Sequence, residues 1–153
     1  SEGSLRIMHE HLASNVVHAH LCHMLDYSAP VSAELPRILI AAPAGQWCYL
    51  GALAVAVISQ DHGWEPVFLG PNLPSEDISA ASATLNPQLI ALSVTCRIND
   101  TFMQSELSHL SDLLENDCPL IFGGQASGTY RREIEAIGGQ VCATPKDLVQ
   151  MLH

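Results

Sequence analysis

Three places in this chain carry groups that could do chemistry. The first is Gln46-Trp47-Cys48-Tyr49-Leu50-Gly51. It sets a thiol, a metal ligand when ionised, between two flat aromatic rings. The second is Ser93-Val94-Thr95, with two hydroxyls one residue apart. The third is Gly123-Gly124, where a missing Cβ lets another backbone or a ligand come close. A further group lies near the N-terminus. There Glu10 and His11 precede His18 and Cys22, and His11, His18 and Cys22 follow one helical stripe at offsets of seven and four. That spacing would suit a metal face or a plain helix-face histidine pair.

Common α/β chemistries lack their signatures. GxGxxG and GxxxxGK[ST], which cradle phosphates, do not occur. No GxSxG elbow presents a serine nucleophile. Ala41-Ala42-Pro43 leaves no carboxylate cluster after the first strand to accept a phosphoryl group. The cysteines at 22, 48, 96, 118 and 142 are odd in number and include no CxxC pair. This argues against a disulfide framework or structural zinc, and most are expected as small buried hydrophobes.

The elements that must position these groups can be read from periodicity. Residues 4–25 form one helix with an apolar stripe of Leu5, Met8, Leu12, Val16, Val17, Leu21, Met24 and Leu25. Its expected polar side carries Glu10, Ser14, Asn15, His18 and Cys22, and the stripe needs a partner. Residues 26–36 read as a Pro/Ser/Ala-rich linker. Strands then alternate with helices. Strands are expected at 38–42, 65–69, 89–94, 119–122 and 140–142, with helices at 51–62, 75–85, about 100–116, 130–137 and 145–152. Ser75 and Thr144 are the expected N-caps, Asn99-Asp100-Thr101 starts the long helix, and Pro145 takes the first helical position. Gly63 stops the first helix after the linker, and Gly70-Pro71 ends the second strand.

This alternation predicts a doubly wound, flavodoxin-like α/β fold: a five-stranded parallel sheet of order 2-1-3-4-5, preceded by the N-terminal helix. Residues 1–36 make a helix and linker, and residues 37–153 one α/β domain. Ligands of such sheets bind beyond the carboxyl ends of the strands, so loops 43–50 and 70–74 are the places to look. A chain of 153 residues, 48% hydrophobic and 14% charged, has enough apolar matter for one core. The net charge is −10 with six Lys+Arg, so this piece is not expected to hold DNA itself. With no signal peptide and no membrane-spanning run, a cytoplasmic location is expected.

In spacing, the three groups resemble the cobalamin-binding domain family, whose pattern is DxHxxG, then SxL or SxT roughly forty residues on, then GG. Cys48 to Ser93 is 45 positions and Ser93 to Gly123 is 30. Leu69-Gly70-Pro71-Asn72-Leu73-Pro74 resembles the family's LGxxxP loop. Glu10-His11-Leu12-Ala13-Ser14 looks like the EHxxS helix that precedes the domain in light-sensing regulators of the MerR class. The resemblance implies a homo-oligomeric sensory domain, not an enzyme, with DNA bound only through a separate N-terminal domain. It implies cobalamin, in the adenosyl form or another, or a different tetrapyrrole such as haem. Gly51, Gly70, Ser93, Thr95, Gly123 and Gly124 would make room for or contact the nucleotide tail, and Glu10 and His11 would reach over the upper face.

One departure stands out. The family's cobalt-binding His and its Asp partner are Cys48 and Gln46 here. Cys48 is then a thiol with no ligand role, a residue facing the ring, or a ligand to cobalt. Two alternatives stay open: a ligand-free oligomerisation or interaction module, and a corrinoid carrier of a methyltransferase.

Overall fold

The computed structural model describes residues 2–25, 34–115 and 117–153, with the side chains of residues 2–6 outside that set. Most of the expected linker, and Asn116 at the end of the expected long helix, lie outside the described residues. The strands are β1 (Arg37–Pro43), β2 (Glu65–Leu73), β3 (Leu89–Ser93), β4 (Leu120–Gly123) and β5 (Gln140–Val141). The helices are α1 (Glu2–Met24), α2 (Leu50–Asp61), α3 (Ser75–Leu85), α4 (Asp100–Leu113), α5 (Arg131–Ala136) and α6 (Pro145–Met151). All pairings are parallel, and the strand order is β2-β1-β3-β4-β5.

The central strands β1, β3 and β4 are buried on both faces because they are almost continuously apolar. Side chains alternate across the sheet. Leu39, Ala41, Ile90, Leu92, Leu120 and Phe122 meet Ile78, Met103, Leu107, Leu110 and Ile134 from α3, α4 and α5. On the other face Ile38, Ile40, Leu89, Ala91 and Ile121 meet Ala52, Leu53, Ala56 and Val57 of α2. Leu148 of α6, Leu152 just beyond it and Leu25 just after α1 complete that layer.

Caps account for several boundaries. Asn99 accepts the Phe102 amide at 3.0 Å to start α4. Thr144 and Asp147 form a reciprocal capping box at the head of α6. Ser75 does not cap α3, contrary to expectation. Pro74 occupies the cap position, and the buried Ser75 hydroxyl donates to the Glu106 carbonyl at 2.9 Å and to its carboxylate at 3.0 Å. Strand β2 does not stop at Gly70-Pro71 but continues to Leu73. It does so through two register shifts against β1, with Gly70 at φ +96° and Asn72 at φ +55°. A short 3₁₀ turn, Ser127–Tyr130, precedes α5, which starts one residue later than expected.

Helix α1 follows the expected stripe only near its end, where Leu21 and Leu25 pack on the α/β layer. Its stripe Met8, Leu12, Val16, Val17 and Met24 is 44–62% exposed. His18 and Cys22, expected on the polar side, face the α/β layer together with Leu21 and Leu25. The inward residues Ser14, His18, Leu21 and Leu25 repeat at three and four, a stripe as regular as the apolar one. The docked part is short. The Gln60 amide donates to the Met24 carbonyl at 3.1 Å, and the His18 ring meets Tyr49 edge-on at 5.4 Å. Residues 2–17, about 24 Å of helix at 1.5 Å per residue, continue past Tyr49, and residues 7–17 are mostly exposed.

Candidate functional site

Above the carboxyl ends of β1, β3 and β4 lies an open slot of about 220 Å³. Its floor is Ile40, Ala91, Leu92 and Ile121 of the sheet. One wall is α2, through Gly51, Ala54, Val55 and Ile58, and the opposite wall is Cys142, Ala143, Thr144, Pro145 and Leu148. Ser93, Gly123 and Gly124 complete it, and no charged side chain lines it. Such a slot favours a flat, uncharged, largely apolar group with the hydroxyls of Ser93 and Thr144 at its edge.

The glycines shape this space in different ways. A Cβ on Gly51 would meet only the Ser93 hydroxyl, at 3.9 Å, so the missing side chain leaves real room. Gly124 sits at φ +101°, and a Cβ there would overlap the Val94 backbone. Gly124 is therefore required by close approach, whatever else it does. Gly70 is buried in β2 and is not among the residues lining the slot.

Gln46, at the position of the family's Asp, is completely buried. Its Oε1 accepts from the backbone N–H of Thr95 at 2.8 Å and of Cys96 at 2.9 Å. Its Nε2 donates to the Cys96 carbonyl at 2.9 Å. The Gln46 carbonyl accepts the Asn72 amide at 2.9 Å, and Asn72 Oδ1 accepts the Gly45 amide at 2.9 Å. One residue thus ties together the loops that follow β1 and β3 and the last residues of β2. Thr95 serves this network and does not line the slot.

Next to this buried hub the loop turns outward. Trp47 is 69% exposed, and Cys48 is exposed. Tyr49 is half-buried between His18 and Phe68, with ring centroids at 5.4 and 6.2 Å. The cysteines depart from the expectation of burial, since Cys48 and Cys96 are exposed and the other three half-buried. Both exposed thiols sit on loops, Cys48 just before α2 and Cys96 between β3 and α4. Glu10 and His11 are exposed on the free part of α1. His11 lies on the stripe that one turn later carries Ser14 and then His18. Cys22 Sγ and His18 Nε2 are 3.3 Å apart, but among the described residues no three or more His, Cys, Asp or Glu gather as a metal site.

The structure thus brings Gly51, Ser93, Gly123 and Gly124 together at the slot and joins Gln46 to Thr95 below the loop bearing Trp47 and Cys48. Sequence reasoning missed the walls given by α2 and by Cys142–Pro145. The signal was faint: small residues at Ala52, Ala54 and Ala56, and the carboxyl end of a two-residue strand. Burial, aided by the nearby Asp147 carboxylate, pushes the Cys142 thiol up. In the ligand-free chain the exposed Cys48 and Cys96 should alkylate at least about tenfold faster than Cys142 at pH 8, because thiolate fraction and access set the rate. Peptide mapping after timed iodoacetamide pulses measures this.

Comparison with known proteins places this geometry. A family model described as the B12 binding domain matches residues 36–148. The chain belongs to the B12-binding domain family. The chain is 29% identical over 148 residues to the HTH-type transcriptional repressor CarA of Myxococcus xanthus, covering 95% of this chain and 50% of that protein. It is 26% identical over 145 residues to the repressor CarH of the same organism, covering 95% and 48%. The chain therefore spans about half the length of these curated relatives. Among solved structures, a cobalamin-binding protein from Desulfitobacterium hafniense aligns with TM-score 0.65 and 20% identity, over 77% of this chain and 58% of that one. At that identity the likeness speaks for the fold. Among the described residues no helix is long and apolar enough to cross a membrane.

Proposed function

We propose that this chain is the sensory domain of a transcriptional regulator and that it holds cobalamin without a histidine ligand to the metal. The observation that carries this is the apolar slot walled by Gly51, Ser93, Gly123 and Gly124, next to a loop whose ligand position is an exposed cysteine. The slot fits the uncharged ring at the end of the nucleotide tail. Trp47, Cys48 and the free part of α1 with Glu10 and His11 would bound the corrin. When bound, the corrinoid would supply a cobalt centre that responds to light or redox conditions. The family match speaks for cobalamin rather than haem, and the names of CarA and CarH speak for regulation rather than catalysis.

The test is an absorption spectrum of the chain after incubation with adenosylcobalamin, hydroxocobalamin or haemin, then desalting, in the dark and after light. The expected result is a retained corrin band with the cobalamins and no retained Soret band with haemin. A chain that retains no corrin in any state overturns the proposal. Cys48→Ala then addresses the metal: an unchanged spectrum means no thiol ligand, and a shifted band assigns Cys48 to cobalt.

A second reading has its own observation. The exposed stripe Met8, Leu12, Val16, Val17 and Met24 favours association through α1. In that reading the chain is an oligomerisation module, and copies of itself are its partners. DNA would be contacted through a separate domain in both cases. The methyltransferase carrier has no observation of its own in this chain.

A further inference from the structure

Gln46 occupies the place where the family pattern has a carboxylate, and its amide does two things a carboxylate cannot do together. It accepts from two backbone N–H groups and donates to a backbone carbonyl, all three on Thr95 and Cys96. An ionised Asp or Glu would turn an oxygen toward the Cys96 carbonyl and leave it without a donor. The side chain is wholly buried, and its oxygen and its nitrogen are both engaged by the backbone of Thr95 and Cys96. Its backbone also accepts the Asn72 amide.

We propose that Gln46 is the positioning residue of the site: a neutral staple that holds the loop bearing Trp47 and Cys48 in its final place before any ligand arrives. This rests on the cobalamin reading for its consequence, but not for its geometry. The floor under the macrocycle is then preformed, and binding docks the exposed part of α1 rather than ordering this loop. The site is also selective in a defined way. It receives corrinoids whose metal needs no donor backed by a protein carboxylate. A histidine placed at position 48 alone would lack that carboxylate. An aspartate placed at position 46 to supply it would break the staple.

Hydrogen exchange of the Thr95 and Cys96 amides, read by NMR, tests this in the full chain. In the ligand-free wild type both should be protected, and saturating hydroxocobalamin should change their rates less than about threefold. In Gln46→Met, which keeps length but makes no hydrogen bond, both should exchange at least about tenfold faster, the loss expected for one buried hydrogen bond. Wild-type amides that become protected only when hydroxocobalamin is added would overturn the staple, while the cobalamin reading would stand. A protected floor in a chain that takes up no cobalamin would do the reverse. Should Gln46→Met not fold, the wild-type pair of measurements decides alone. The spectrum gives an independent readout. Cys48→His and Gln46→Asp/Cys48→His should both lack the band of an imidazole-ligated cobalt, and its appearance in the double variant would show that position 46 is free to serve a ligand.

Discussion

A Gly51→Leu chain should fold at least as well as its parent and keep no cobalamin through desalting. Residue 51 lies in the first turn of α2, where leucine favours the helix over glycine by roughly 0.7 kcal/mol. A Cβ at this position meets only the Ser93 hydroxyl, at ordinary contact distance. Beyond it, however, the leucine methyls enter the slot of about 220 Å³ that the nucleotide tail would need. The expected loss in affinity is about a hundredfold or more, equal to roughly 3 kcal/mol. Paired thermal melts and cobalamin titrations separate the two effects. Undiminished binding would move the ligand elsewhere and remove the slot from the proposed function.

Gly124→Ala is expected to have the largest effect on stability. At φ +101° alanine is strained, which alone costs about 1–3 kcal/mol. The new Cβ would also overlap the Val94 backbone, which has little freedom to yield. Val94 donates its N–H to the Gly123 carbonyl at 2.8 Å and accepts the Ala126 amide at 3.0 Å. A total of roughly 4 kcal/mol would lower the melting temperature by about 8–16 °C for a domain of this size. Gly63→Ala is the informative control, since Gly63 has φ +79° but nothing within 4 Å of an added Cβ. It should show the conformational cost alone, about 1 kcal/mol. Equal melting of the two variants would mean that the approach to Val94 is not what fixes glycine at 124.

The sheet could be read from sequence because its strands leave no ambiguity of face. Ile38 to Ala42 and Leu89 to Leu92 are apolar at every position, as a strand covered by helices on both sides requires. Asn99, Thr144 and Pro145 announce their helices by side-chain chemistry that acts within four residues. Three features were not legible, each for a physical reason. The length of β2 depends on backbone pairing through Gly70 and Asn72, residues whose identities signal a turn. The orientation of α1 depends on which of two regular stripes finds a neighbour, and periodicity cannot choose between them. The role of Gln46 depends on Thr95 and Cys96, some fifty positions away. A glutamine in a loop carries no local mark of burial. The slot was half-visible: its glycines and serine follow strands, whereas the wall from Cys142 to Pro145 follows a strand of only two residues.

The irregular course of β2 also bears on how copies of this chain can meet. β2 is one edge of the sheet and β5 the other. Pro66 and Pro71 remove backbone donors from β2, and its two register shifts bend the remaining ladder. β5 is too short to template a neighbour. Both open edges are thereby blunted against strand addition, the route by which α/β domains run into fibrous aggregates. Association must then proceed through side chains, where contacts can form and dissociate without a backbone ladder. A domain built in this way can leave a helix with an apolar flank in water and still remain clear of the amyloid route.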